Sequence, residues 1–317
     1  MKPRLILVPL ALLIMALVPL TAKGAEVWVT NQGDGFNNVA IVETGIMEVV
    51  ATINVGSKPH NIAFSPDGRF AYTANVASND VSVIDAVNRR EITRIPAGAR
   101  AHGVTVSPDG KEVWVANVGA HNVTVIDAAS LKGVATIPTD KGAALVAFSP
   151  DGKKAYVSNG AAGTTSIIDV ASRQVIKTLK TGRGAMGLAV AGGKVFETEG
   201  DDNQISVIRI GTDEVIATLR FGHGEPHGAA LLPDGRTLLV PNRKSNNISI
   251  IDMETHREIG TIQTGDRPDI IAVDKDGVFA FVTLRGDKGV EIIDVPRRRS
   301  VKKIILGGDP HGVAVRP

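Results

Sequence analysis

Ser107-Pro108-Asp109-Gly110-Lys111-Glu112-Val113-Trp114-Val115-Ala116-Asn117 decides the fold, because the phrase recurs along the chain. Ser-Pro-Asp-Gly returns at Ser65-Pro66-Asp67-Gly68 and Ser149-Pro150-Asp151-Gly152, with weaker copies at Leu232-Pro233-Asp234-Gly235 and Asp274-Lys275-Asp276-Gly277. Another copy has decayed to Ala191-Gly192-Gly193. The aromatic-led phrase also returns, as Tyr72-Thr73-Ala74-Asn75 and Tyr156-Val157-Ser158-Asn159. A third phrase ends on Asp85, Asp127, Asp169, Asp252 and Asp294, with Arg209 replacing the acid once. The period is about 42 residues.

Each phrase has a physical reason. Pro-Asp-Gly between apolar runs is a tight turn, in which Pro sets φ and Gly accepts positive φ. The runs between turns are short, rich in Val, Ile and Thr, and often alternate, as strands require. One repeat therefore reads as four strands: Gly103-Val104-Thr105-Val106 (A), Val113-Trp114-Val115 (B), Val123-Thr124-Val125-Ile126 (C) and Gly133-Val134-Ala135-Thr136-Ile137 (D). A four-stranded antiparallel unit of this length, repeated radially, is a β-propeller blade. The chain ends complete the count. Gly24-Ala25-Glu26-Val27-Trp28-Val29-Thr30-Asn31 aligns with the start of a strand B, and Asp309-Pro310-His311-Gly312-Val313-Ala314-Val315-Arg316-Pro317 with a strand A. The two ends make one composite blade, so the expected fold is an all-β, seven-bladed propeller whose closure hides its sheet edges.

The N-terminus carries a different signal. Lys2 and Arg4 precede an uncharged run from Leu5 to Leu20, followed by the small residues Thr21, Ala22, Gly24 and Ala25. That order is a secretory signal, with residues 1–24 removed before Ala25 and residues 25–317 forming the propeller. The apolar run is short for a membrane span, and an uncleaved anchor is the alternative. A periplasmic or secreted protein is expected. Without Lys2, Arg4 and Lys23, Lys+Arg falls from 35 to 32 against 33 Asp+Glu. A near-neutral chain does not collect nucleic acid or anionic lipid. There is no cysteine, hence no disulfide, no lipid-anchored Cys and no Cys-x-x-Cys-His haem attachment. A closed propeller needs no second copy, so a monomer without a membrane span after cleavage is expected.

The Tyr/Trp-Val-x-Asn, Ser-Pro-Asp-Gly and Val-Ile-Asp phrases resemble the YVTN-type β-propeller repeat family, across essentially the whole chain after the signal. The resemblance implies a fold and export. Its relatives include surface-layer proteins and propellers encoded beside quinoprotein alcohol-oxidation systems, so it implies no reaction.

Chemistry is expected at the face made by the D-to-A and B-to-C connections. The residue five before each Ser-Pro-Asp-Gly gives one ring position per blade: His60, His102, Ala144, Met186, His227, Asp269 and His311. His60, His102, Met186, His227, Asp269 and His311 are the candidate ligand-binding residues. Of these, His60, His102, His227, Asp269 and His311 are the candidate metal ligands, a donor set that suits copper, zinc or iron. Duplication offers a plainer account, since a His in an ancestral blade is copied whether or not it binds anything. Pro-His-Gly could then simply turn the chain into strand A, its His bonded to the neighbouring backbone. His121 and His223 are expected on the same face and His256 on the other. Glu197 and Glu199, beside Asp201 and Asp202, read as a solvated acidic loop or a rim cation site, and Arg297-Arg298-Arg299 as a surface patch. The repeated Asp reads as a turn cap, and the repeated Asn as a loop former through bonds to backbone.

No Gly-x-Ser-x-Gly elbow, P-loop or His-Glu-x-x-His pair is present, and no catalytic residue is assigned. The main expectation is a non-enzymatic exported scaffold that binds a protein partner or small ligand at the ring face. The alternatives are a metal- or cofactor-dependent redox protein using the His/Asp ring, and a lactone hydrolase.

Overall fold

A computed structural model describes residues 24–33 and 35–317, so the expected signal lies, apart from Gly24, outside the described residues. They form seven four-stranded antiparallel sheets and no helix, as expected from the repeat. Blade 1 joins strand A, Asp309–Val315, to Glu26–Gln32, Asn38–Glu43 and Glu48–Asn54. Blades 2 to 7 span residues 59–96, 101–138, 143–180, 185–219, 230–263 and 268–305.

The turn chemistry follows the sequence. Ser65 Oγ donates to Asp67 at 2.6 Å, Gly68 N–H donates to Ser65 O at 2.8 Å, and Gly68 takes a φ of 65°. The repeated Asp caps the C-to-D turn; Asp85 Oδ1, for example, accepts from the Val87 and Asn88 N–H groups. The repeated Asn differs from expectation, because its amide mostly meets other side chains. Asn75 donates to Asp80 and Ser82, and Asn117 donates to Asn122 and Thr124 while accepting from Gly98 N–H.

Packing within each blade sets small against large. Ala63 faces Tyr72 across the ladder, Thr105 faces Trp114, Ala147 faces Tyr156, Ala272 faces Phe281, and Ala314 faces Trp28. Trp28 and Trp114 then take Phe64 and Phe148 edge-on, each at 5.2 Å. Directly after the ring position, blades close on one another. A Cβ on Gly103 would stand 2.3 Å from the Ala144 carbonyl oxygen, so only glycine permits that approach.

On the opposite face the blades carry matched pairs between the first residue of strand B and the C-to-D turn of the following blade. Glu26 meets Arg89 at 2.7 Å, Glu112 meets Arg173 at 2.5 Å, and Lys154 meets Asp213 at 2.6 Å with the charges reversed. Lys194 meets His256 at 3.2 Å, while Phe70 and Leu131, and Phe279 and Met47, put apolar residues at the same positions, packed on shared clusters. Lys154→Asp is expected to destabilise the chain by about 1–3 kcal/mol, since it sets two half-buried acids together. Adding Asp213→Lys should return most of that loss in a urea-unfolding double-mutant cycle. Additive losses would show that the pair does not read its neighbour.

Blade 6 departs from the pattern. Its strand A is only Ala230–Leu231, and His227 lies in irregular chain after an isolated Pro226–Asn242 bridge. The cause is Pro241 in strand B, whose carbonyl accepts from His227 N–H but which has no N–H to return.

Candidate functional site

The ring residues are placed by a repeated backbone irregularity. In blade 2 the ladder passes from Pro59–Asn75 to Asn61–Ala74, leaving His60 unpaired. The same shift leaves out His102, Ala144 and Met186 in blades 3 to 5, and Asp269 and His311 fall in the equivalent breaks of blades 7 and 1. A bulge of this kind removes a residue from the ladder and re-aims its side chain. The Thr30 and Thr283 hydroxyls then hold the His60 and His311 carbonyls at 2.9 and 2.7 Å.

The resulting side chains are in contact. His60 lies between two other imidazoles, its ring centroid 3.6 Å from His102 and 3.5 Å from His311 with the planes tilted by 38° and 37°. Asp269 bridges the rest of the arc: His227 Nε2 lies 2.9 Å from its Oδ1, and His311 Nε2 lies 3.2 Å from its Oδ2. The ligand atoms of His227, Asp269 and His311 all lie within 4.8 Å of one another. His102 also meets the plainer expectation, its Nδ1 lying 3.0 Å from the neighbouring Ala144 carbonyl. Ala144 is buried and Met186 half-buried, so two consecutive blades contribute an apolar side to the mouth.

Burial decides the charge states. His227 and His311 are 3% exposed and Asp269 is 0% exposed, while His60 is the most open of the four ring imidazoles. Desolvation holds His102 down to about 4 and holds His60, His227 and His311 well below the ordinary value. Nearby imidazoles and the Arg243 and Arg285 charges add to the effect for His60. All four rings are therefore neutral at pH 7, each with a lone pair available. Burial pushes Asp269 up to about 6, against the downward pull of Arg243 and Arg285.

Arg243 and Arg285 are the residues that sequence reasoning missed. Arg243 donates to Asp269 and lies 3.2 Å from Glu225, while Arg285 makes a two-pronged pair with Asp309 at 2.8 and 2.6 Å. Both directly follow strand B, where blades 2 to 5 carry Val76, Val118, Gly160 and Gly200. That contrast was the available signal. With Lys244 and Arg267 they line a cavity of about 360 Å³ beside the ring.

His121 and His223 lie in B-to-C and D-to-A connections, on the expected face, but engage local partners. His121 accepts from Gly142 N–H at 3.1 Å, and His223 sits between Asn247 and Glu258 at 3.2 and 3.0 Å. His256 is occupied by Lys194 and stands edge-on to Phe196. Glu197 and Glu199 are not a solvated loop or rim: both are 0% exposed, because they occupy inward-facing positions of strand B. Arg297 pairs with Asp294 at 2.9 Å on the surface.

Comparison with known proteins gives two family matches. The YNCE-like beta-propeller model matches residues 201–316, and the cytochrome D1 heme domain model matches residues 26–146. The first span contains His227, Asp269 and His311, and the second contains His60 and His102. Among curated proteins no sequence matches. Similar solved structures include hydrazine synthase of Kuenenia stuttgartiensis, at 24% identity and a TM-score of 0.78, covering 86% of this chain and 93% of that one. A functionally unknown protein from Desulfotomaculum acetoxidans aligns at 14% identity and a TM-score of 0.79, covering 92% and 99%. Dihydro-heme d1 dehydrogenase in complex with DHE aligns at 18% identity and a TM-score of 0.68, covering 92% and 75%. At these identities the likeness is one of fold. The haem-domain match nevertheless overturns the expectation of a non-enzymatic scaffold, because it points to cofactor binding. The chain is a β-propeller protein, similar over residues 26–146 to a haem domain and over residues 201–316 to a YNCE-like propeller.

Proposed function

We propose that the chain is a redox protein that holds a non-covalent cofactor of the haem class over the His/Asp ring, with His60 as the iron-ligating imidazole. The observation that carries this is a group of close-packed neutral imidazoles at the channel mouth, in which His60 Nδ1 and His311 Nδ1 are buried without a hydrogen-bond partner. Unprotonated imidazole is the donor type that would hold a haem-class iron, and the similarity to a haem domain gives the class. When bound, the group supplies an iron that exchanges one electron.

The protein's own residues prepare that position. His102 and His311 flank His60 on both sides, and burial keeps its lone pair free of a proton. Asp269, held by Arg243, places its carboxylate 2.9 Å from His227 Nε2 and 3.2 Å from His311 Nε2. Ala144 and Met186 offer an apolar edge opposite this polar arc. With no Cys to bond it, the group is held by ligation and packing alone. On this reading the repeat is of the YVTN type, and the chain works as a monomer outside the cytoplasm after cleavage before Ala25. The close set of His227, Asp269 and His311 favours a second reading, a copper, iron or zinc ion without a macrocycle.

Untagged protein titrated with hemin should develop a shifted Soret band, and His60→Ala should weaken binding at least about tenfold while the fold persists by circular dichroism. The lowered pKa of His60 means that acid does not compete for its lone pair at the usual point, so affinity should stay flat as pH falls through about 6.5. No hemin binding, with stoichiometric metal by elemental analysis, would replace the haem reading by the bare ion.

A further inference from the structure

The interface between blades 4 and 5 carries oxygen ligands that the ring does not use. At the position of Glu197 the other blades place Val29, Thr73, Val115, Val157, Val240 and Val282. Facing it, Thr165 replaces Val39, Val81, Val123, Ile205, Ile248 and Val290. The equivalent interface between blades 2 and 3 is apolar, with Val81, Ala97 and Val115 in one cluster. Glu199 has a structural explanation, since it stands where five blades carry Asn and it lies beside the Gly182 N–H as Asn117 lies beside Gly98. Glu197 has none.

The surroundings of Glu197 are polar and closed. Its Oε2 accepts from the Thr165 hydroxyl, and Thr165 Oγ1 lies 3.3 Å from Thr181 Oγ1. Glu197 is 0% exposed, and its second oxygen, Oε1, is buried without any partner. Glu199, two residues along the same strand face, is also 0% exposed and close enough for its charge to act on Glu197. Thr181 is half-buried and gives the cluster its approach from the ring face.

We infer that Glu197, Glu199, Thr165 and Thr181 form a site for a hard cation of calcium's size between blades 4 and 5. Calcium takes several oxygen ligands in flexible geometry, and two carboxylates with two hydroxyls supply that chemistry. An ion there neutralises both acids and occupies the orphaned Oε1. In its absence burial pushes Glu197 up to about 8, so the acid is kept neutral by a proton instead.

The test compares the wild type with Glu197→Val/Thr165→Val, which restores the residues of the other blades and is expected to fold. Metal-stripped wild type at pH 8 should gain several degrees in Tm on adding millimolar calcium, and should sensitise terbium luminescence in proportion to occupancy. The double variant should show neither response, and its Tm without calcium should lie above that of the stripped wild type. Equal responses in both proteins, or none in the wild type with calcium, magnesium, sodium or terbium, would overturn the site and leave Glu197 as a buried neutral acid. Neither readout depends on a cofactor at the ring.

Discussion

Asp269→Ala should destabilise the protein at pH 7 by about 3 kcal/mol, the cost of removing one partner from a buried ion pair. The carboxylate is 0% exposed and pairs with Arg243, whose side chain is only 19% exposed. Glu225 remains beside Arg243 at 3.2 Å, which places the loss at the lower end of the usual range. The same cluster dictates an acid profile in the wild type. A ring His whose folded pKa is depressed leaves the unfolded chain binding more protons, so stability present above about pH 6.5 is lost as pH falls below it. For His102 the loss runs from about 6.5 down to about 4. Asp269 acts oppositely, because its raised pKa lets the folded chain take a proton near pH 6 while the unfolded chain does not. Each group contributes about 1.4 kcal/mol per pH unit within its window. Four imidazoles outweigh one carboxylate, so urea midpoints should fall steeply between about pH 6.5 and 4. A flat profile would show that the imidazoles are not buried in a dry ring.

Deleting residues 309–317 should have the larger effect. The segment supplies strand A of blade 1, pairing Val315 with Val27 and Val313 with Val29, and it carries His311. Gly312 N–H donates to Thr30 at 2.7 Å, and Arg316 reaches Glu26 at 3.2 Å. Without it the ring of blades is open, and strands on both sides of the gap expose ladder groups and apolar faces. The expected loss is about 5 kcal/mol or more, comparable to the whole stability of an ordinary domain, and cooperative thermal unfolding should disappear. A synthetic peptide of the deleted residues should restore the transition. Cooperative unfolding of the truncated chain at the wild-type Tm would show that the composite blade does not close the fold.

Much of this molecule was legible along the chain. The Ser-Pro-Asp-Gly turns, the alternating Val and Ile strands and the alignment of the two ends dictate blade number and closure, because turn and strand chemistry act over a few residues. The shared register of His60, His102, Ala144, Met186, His227, Asp269 and His311 was likewise a matter of counting. Convergence was not. The bulges that aim these side chains inward and the 3.5 Å approach of His60 to His311 join residues far apart in sequence, which meet only when the ring closes. Arg243 reaches Asp269 from another blade, and Pro241 breaks strand A of blade 6 through an N–H it lacks. Glu197 read as a solvated acid because spacing carries no information about burial. Local turn and strand chemistry sets the blades and their register, whereas closure of the ring sets which side chains touch, which are dry and hence which are charged, since desolvation depends on the whole circle of neighbours.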